Sequence, residues 1–354
     1  MNPTTQTEPS MAGDIAEALR AGGSLPEGGN VEQCRAKPLG AGQLADSYRV
    51  ELTYTPGPSG PSSVFVKLPP SDTHSAATAS RIGAFDRERF FYAELRPRLD
   101  IRTPRFLGSL PRGGGPPGLI LQDLSSATRP LDQLRDGTIE QVESVADQLA
   151  GLQAPFWDDE DAVGGTDRFY NRTEDHITGL AERYKQSWHR HRDTVGALLN
   201  PQQRQLIETF GHHCLSWASG IRGPRTLVHQ DLRLDNLLWG DAGAWIVDWQ
   251  TLAWTSPAWD LAFFLGTALD PDTRRRVEQR LLQAHVSALH DRGVQGWDID
   301  TAEREHRRLS GSVLIAMVAA LAFVQPTARG FEMFASLIHR GAQQALDHDL
   351  LSFI

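Results

Sequence analysis

The 354-residue sequence predicts an α+β fold in two lobes: a small antiparallel β-sheet lobe carrying one key helix, then a larger, mainly helical lobe. Three observations predict it. Up to about Leu124, apolar residues alternate in short runs broken by Gly and Pro; beyond Ser125 they recur at helical spacing. Only two further strand-like runs, "TLVH" and "AWIVDW", break the helical part. The length exceeds what one small core needs and suits two. These patterns divide the chain into a tail and helix over 1–30, an N-lobe over 31–123 and a C-lobe over 124–354.

Met1 to about Ser10 is polar and reads as frayed, while Ala12 to Ala21 has helical spacing and stops at Gly22 and Gly23. "QCRAKPLGAGQLADSYRVELTY" reads as strand, Gly turn, strand, and "SSVFVKLP" as a third strand after the turn-rich "TPGPSGPSS". "GAFDRERFFYAELRPRL" is the one helix expected within the N-lobe, with Phe85, Phe91 and Leu95 able to share a face. "GLILQDL" closes the lobe as a buried strand. Helices follow in "TIEQVESVADQLAGLQAPFW", from Glu174 to Trp217 and from Asp272 onward, and another starts in "SPAWDLAFF" with Ser256 as N-cap and Pro257 in its first turn.

Composition narrows the partners. Apolar residues make up 40% and charged residues 22%, which favours neither disorder nor a coiled coil. The net charge of −9, with Lys and Arg scattered, argues against a nucleic-acid partner. The longest apolar run, Val313 to Val324, has 12 residues, short of the roughly 20 a membrane span needs, and reads as a buried helix. The N-terminus shows no basic region before an apolar one, so a cytoplasmic protein is expected. Cys34 and Cys214 fit a reducing compartment and exclude a four-cysteine zinc site.

The chemistry concentrates in "LVHQDLRLDNLLW", Leu227 to Trp239. Leu234, Leu237 and Leu238 are apolar pegs, and Asp231, Arg233, Asp235 and Asn236 project between them. Asp248 follows at the end of "WIVDW". A carboxylate with a carboxamide suits Mg²⁺, which shares phosphate oxygens with a substrate and keeps several waters. Asp231 is then available to accept a proton from an attacking hydroxyl. Such a set asks for a nucleotide, hence for a Gly-rich turn and a strand lysine paired with a helix carboxylate upstream. Gly40 and Gly42 lie in "PLGAGQLAD", Lys67 in "VFVKLP" and Glu88 in "DRERFFYAEL", with Asp86 and Glu94 as alternative partners of Lys67. A lone Gly-x-Gly usually marks a hairpin and a strand lysine an exposed edge charge; their ordered coincidence selects the nucleotide reading.

"HQDLRLDN" followed by "IVDWQ" resembles the catalytic loop and metal-binding strand of the aminoglycoside phosphotransferase and choline kinase superfamily. With "GAFDRERFFYAEL", the chain is most similar to the ecdysteroid-kinase-like branch, over roughly Gly40 to Leu265, most specifically at the two C-lobe motifs. The resemblance implies a protein-kinase-like fold and an ATP- and Mg²⁺-dependent transfer of the γ-phosphate to a small-molecule hydroxyl. By it, Asp231 is the catalytic base or hydroxyl-orienting residue, Asn236 and Asp248 hold Mg²⁺, Lys67 holds the α- and β-phosphates, and Glu88 holds Lys67. Gly40 and Gly42 would shape the phosphate turn, and backbone groups of Gln122 and Leu124 would meet adenine. Asp260 matches an aspartate that braces the catalytic loop. Arg233, in the place of a protein-kinase lysine, reads as neutralising the γ-phosphate in flight.

Two departures favour a small-molecule kinase over a protein kinase: Ala45 stands where a third loop glycine would, and "DWQ" replaces Asp-Phe-Gly. No Ala-Pro-Glu-like segment follows Asp248. The alternative from another class is a pseudokinase, a nucleotide-binding regulatory protein without turnover. Acceptor candidates are an amino sugar, a sterol-like or other natural product, a choline-like amino alcohol and a hydroxyacyl thioester. The oligomeric state is left open.

Overall fold

Alternating burial builds the first unit of the chain. The computed structural model describes residues 9–41, 45–55, 57, 59–111, 116–170, 174–323 and 328–354. By contacts, this unit takes in the chain up to Arg98, Thr103–Thr128 and Val247–Thr251. Strands β1 (Asn30–Ala41), β2 (Asp46–Thr55), β3 (Ser63–Leu68), β4 (Phe106–Leu110) and β5 (Gly118–Gln122) form an antiparallel sheet in the order β1-β2-β3-β5-β4. Val50, Val64, Val66 and Ile120 face one core with Ile15 and Leu19 of helix α1 (Pro9–Ala21). Helix α1 passes β4 so closely that a Cβ on Gly22 would lie 2.1 Å from the Leu107 carbonyl oxygen. Only glycine fits there.

Two features of this unit differ from expectation. A helix not foreseen, α2 (Thr73–Arg81), precedes the expected one; "THSAATASR" is small and polar and carries little apolar periodicity. The expected helix is α3, regular only over Ala84–Phe90, then a wide π turn (Phe91–Leu95) and a 3-10 turn (Arg96–Arg98). Pro97 cannot donate to an α ladder, and the π turn lets Phe90, Phe91 and Tyr92 all be buried although they are consecutive.

The second unit comprises Leu99–Arg102, Arg129–Ile246 and Leu252–Ile354. A short strand β6 (Thr128–Pro130) comes first, then α4 (Ile139–Gln153), α5 (Glu174–His191) and α6 (Pro201–Ser219). Strands β7 (Thr226–Val228), β8 (Leu237–Gly240), β9 (Gly243–Ile246) and β10 (Ala253–Thr255) follow. The rest is α7 (Ala258–Ala268), α8 (Pro271–Asp291), α9 (Ile299–Leu309), α10 (Gly311–Ala320) and α11 (Ala328–Asp347). Its core is aromatic: Phe210, Trp217, Trp259, Phe263 and Trp297 are buried together. Reciprocal capping boxes start α4, through Thr138 and Gln141, and α6, through Asn200 and Gln203.

Here too the structure corrects the sequence reading. The stretch Leu227 to Trp239 joins a two-stranded sheet, β7 with β10, to a three-stranded one in the order β6-β8-β9, where the sequence predicts only two strands. Leu237 and Leu238 therefore belong to β8, not to a loop. Pro257 is helical (φ −59°, ψ −23°), as expected of a first helical position, but Ser256 gives α7 no side-chain cap: its hydroxyl is buried and makes no hydrogen bond to the helix start. Of the apolar run expected to form a buried helix, Val313 to Ala320 lies in α10, Leu321–Phe323 forms a 3-10 turn and Val324 lies outside the described residues; among the described residues no helix is long and apolar enough to cross a membrane.

Candidate active site

The sequence-predicted residues gather in two clusters, one in each unit. In the first, β3 brings Lys67 opposite Ser47 of β2 and Leu119 of β5. Its ammonium lies 2.7 Å from Glu88 Oε2 and 2.9 Å from Asp248 Oδ1. Glu88 is therefore the partner on α3, and Asp86 and Glu94 are exposed. The Lys67 and Glu88 side chains are 9% and 1% exposed, whereas that of Asp248 is 42% exposed. Burial pulls the Lys67 ammonium down, but the charges of Asp248 and Glu88 outweigh it, and the pKa lies above the usual lysine value. Burial pushes the Glu88 carboxyl up against the opposing charge of Lys67. Lys67 therefore stays charged.

Helix α3 and its π turn grip the segment after Asp248 residue by residue. Trp249 N–H donates to Glu88 Oε1 at 3.3 Å, Arg87 donates to the Gln250 carbonyl at 2.6 Å, and the Phe91 and Trp249 rings stack at 3.8 Å. Asp248 itself sits at φ +67°, a left-handed conformation that costs about 1–3 kcal/mol outside glycine and persists only where its surroundings hold it.

Gly40 is not in a turn: β1 continues to Ala41, which pairs with Asp46, and Gly40 falls in an irregular stretch of the register between Pro38 and Ala41. Gly42 lies outside the described residues. At Gln122 and Leu124, the residues expected to meet adenine, the backbone is partly committed. The Gln122 N–H donates to the Arg105 carbonyl at 2.9 Å, and the Leu124 carbonyl accepts from the N–H groups of Ala127 and Thr128 and from the Thr128 hydroxyl. Between them Asp123 accepts from Ser63, Arg49 and the Ser125 N–H; against burial, these bonds hold its carboxyl at about 2. This brace was not legible, since Arg49 is one residue of an alternating strand.

The second cluster is the stretch after β7. The buried carboxylate of Asp260 on α7 accepts the N–H of His229 at 2.7 Å and that of Gln230 at 2.9 Å. Burial pushes its carboxyl up, opposed by His229 and these two bonds. Gln230 takes φ +72°, which turns the chain so that Asp231 projects with its side chain 30% exposed. Leu232, Leu234 and Leu237 are the fully buried pegs, and Leu238 is only half-buried. Asn236 donates through Nδ2 to the Asp231 carbonyl at 2.7 Å and to its carboxylate at 3.1 Å. Arg233 donates through Nε to both Asp231 oxygens, at 3.2 and 3.3 Å, and through a terminal nitrogen to Asp235 at 2.9 Å.

Sequence reasoning gave Asp235 no role and missed Gln133 altogether. The N–H of Gln133 donates to Asp235 at 2.9 Å, while its side chain accepts the Leu234 N–H and donates to the Thr267 carbonyl, both at 3.0 Å. "DQLRDG" is a polar turn without periodicity, so nothing in it singles out Gln133. Trp254 is 7% exposed and stacks on Phe169.

Several solved structures share the fold over nearly their whole length. A choline kinase from Cryptosporidium parvum Iowa II matches with a TM-score of 0.58 and 11% identity, over 95% of this chain and 96% of that one. An ethanolamine kinase from Plasmodium vivax matches with a TM-score of 0.52 and 12% identity, over 90% and 82%. The GDP complex of an aminoglycoside 2'-phosphotransferase-IIIa matches with a TM-score of 0.51 and 15% identity, over 88% and 93%. No curated protein sequence matches. The model of the phosphotransferase enzyme family covers residues 35–298, a span that contains Lys67, Glu88, the Asp231 loop and Asp248, and to that family this chain belongs.

Proposed function

We propose that this phosphotransferase moves the γ-phosphate of ATP, with Mg²⁺, to a hydroxyl group of a small molecule. The observation that carries the proposal is the triad in which buried Glu88 and exposed Asp248 hold the buried Lys67 ammonium charged. A buried cation with an exposed carboxylate beside it is a phosphate anchor next to a metal ligand.

Each of the two proposed ligands suits a hard divalent cation by its own chemistry. Asn236 spends its amide N–H groups on Asp231, which leaves Oδ1 as its ligand atom, and Asp248 is the exposed member of its triad. When bound, Mg²⁺ supplies charge neutralisation on the phosphates. Lys67 orients the nucleotide, Asp231 orients the acceptor hydroxyl and takes its proton, and Arg233 offsets charge on the transferring group. Catalysis is then mainly positioning and electrostatics. For adenine, the Leu124 N–H is the better contact, since the Gln122 N–H is spent in the sheet.

Among acceptors, the names of the structural neighbours direct attention to choline- or ethanolamine-like amino alcohols and to aminoglycosides such as gentamicin. ADP release from MgATP across amino alcohols, amino sugars, sterol-like alcohols and hydroxyacyl thioesters tests the reading. Asp231→Asn is expected to lower release by about 10²–10⁴ while MgADP still binds. Absence of release with every acceptor of the panel, alongside a measured ATP affinity, would transfer the assignment to a pseudokinase.

A further inference from the structure

Arg233 sits between two carboxylates, and the distances are unequal. It meets Asp235 at 2.9 Å, the length of a charge-assisted bond, but meets Asp231 through a single Nε–H shared between two oxygens at 3.2 and 3.3 Å. Asp235 is the stronger holder. Its other oxygen is fixed by the Gln133 N–H, and Gln133 is itself tied to Leu234 and to Thr267 at the end of α7. The same helix holds the loop's start through Asp260, so one rigid element sets both ends of the segment that carries Asp231.

We propose that Asp235 is a positioning residue for phosphoryl transfer: it draws the Arg233 guanidinium aside so that Arg233 does not close on Asp231 as a two-pronged ion pair. Arginine and carboxylate favour that two-bond geometry when nothing competes. Closed in this way, Asp231 would present its proton-accepting oxygens to Arg233 instead of to a hydroxyl, and Arg233 would be unavailable to the phosphate. Two carboxylates sharing one guanidinium keep a surplus negative charge on the loop, which suits a base beside a metal ion. The proposal rests on the assignment of Asp231 as the base.

A double-mutant cycle tests it, read as ADP release from MgATP with the best acceptor of the panel, water included. Asp235→Asn keeps an acceptor for the Gln133 N–H and removes only the charge. It is expected to lower kcat at least tenfold with the KM for ATP within threefold, and to lower the residual kcat of Arg233→Ala by less than twofold, since the effect runs through Arg233. Asp235→Glu, which restores the charge, should recover part of the loss. Turnover like the parent's in Asp235→Asn, an equal loss in both backgrounds, or a parallel loss in KM would overturn the proposal and leave the phosphotransferase reading standing. Absence of turnover in the unaltered protein would overturn that reading and this proposal with it. Should Asp235→Asn fail to fold by circular dichroism, Asp235→Ser is read by the same criteria.

Discussion

At the residue scale, the two clusters divide their electrostatic work differently. Lys67 and Glu88 are nearly sealed from water, and a buried ion pair adds little net stability when complete but costs about 3–5 kcal/mol when one partner is removed. Lys67→Met should therefore both abolish nucleotide binding and lower the unfolding free energy by that amount, measured by calorimetry with MgADP and by urea denaturation. Arg233 is different: its side chain is 21% exposed and shares its charge with two carboxylates. Burial pulls its guanidinium down, but the charges of Asp231 and Asp235 outweigh this and its pKa is raised. Arg233→Ala is expected to lower turnover about hundredfold with ATP affinity changed far less, as fits a group that acts on developing charge. Equal losses in the two would remove that role.

At the scale of elements, the turn before α4 shows how tightly the Asp231 loop is boxed. Gly137 has φ +116°, and a Cβ there would lie 2.2 Å from the Ala268 carbonyl oxygen at the end of α7. Gly137→Ala should cost about 2–4 kcal/mol and lower turnover by displacing Gln133, measurable as a fall in denaturation midpoint together with kcat. The same turn marks the limit of what could be read from the chain. Lys67, Glu88, Asp248 and the Asp231 loop each sit in a local pattern of strand alternation, helix face or fixed spacing. Gln133 acts through one backbone N–H and one amide, and its partners, Asp235, Leu234 and Thr267, lie about 100 residues or more away. Strand β10 was illegible for a similar reason: "AWT" becomes a strand only because β7 supplies its ladder. In α3 the periodicity was visible, but not that three consecutive aromatic side chains would all be buried and force a π turn.

For the molecule as a whole, buried histidines set the response to acid. His285 is buried, within 2.8 Å of Gln153 Oε1, and burial holds its imidazole down at about 4. Burial also lowers His306, whose Nε2 is 2.8 Å from Glu278. Because both folded-state values lie below the ordinary 6.5, the unfolded chain binds more protons in that window. Stability should be complete above about pH 6.5 and fall by about 3 kcal/mol for His285 alone as pH approaches 4, measured by denaturant melts across that range. His285→Gln should flatten the slope. Among the described residues, Glu278, His306 and His348 have ligand atoms within 4.8 Å of one another, yet the guanidinium of Arg274 donates to Glu278 at 2.5 Å and lies 3.4 Å from His348. The guanidinium of Arg274 thus already supplies a cation beside this carboxylate.

Asp248 and Trp249 belong by their contacts to the sheet unit, although the chain reaches them only after leaving that unit at Thr128. On a ribosome, Lys67 and Glu88 emerge roughly 160–180 residues ahead of the carboxylate and indole that complete their surroundings. At ordinary synthesis rates the stretch from Thr128 to Thr251 takes roughly 6–25 s to make. For that interval the nascent sheet lacks the ring that stacks on Phe91 and the third member of its ion triad. A fragment cut at the unit boundary would carry the same deficit permanently, so vectorial folding of this chain stays incomplete until well past its midpoint.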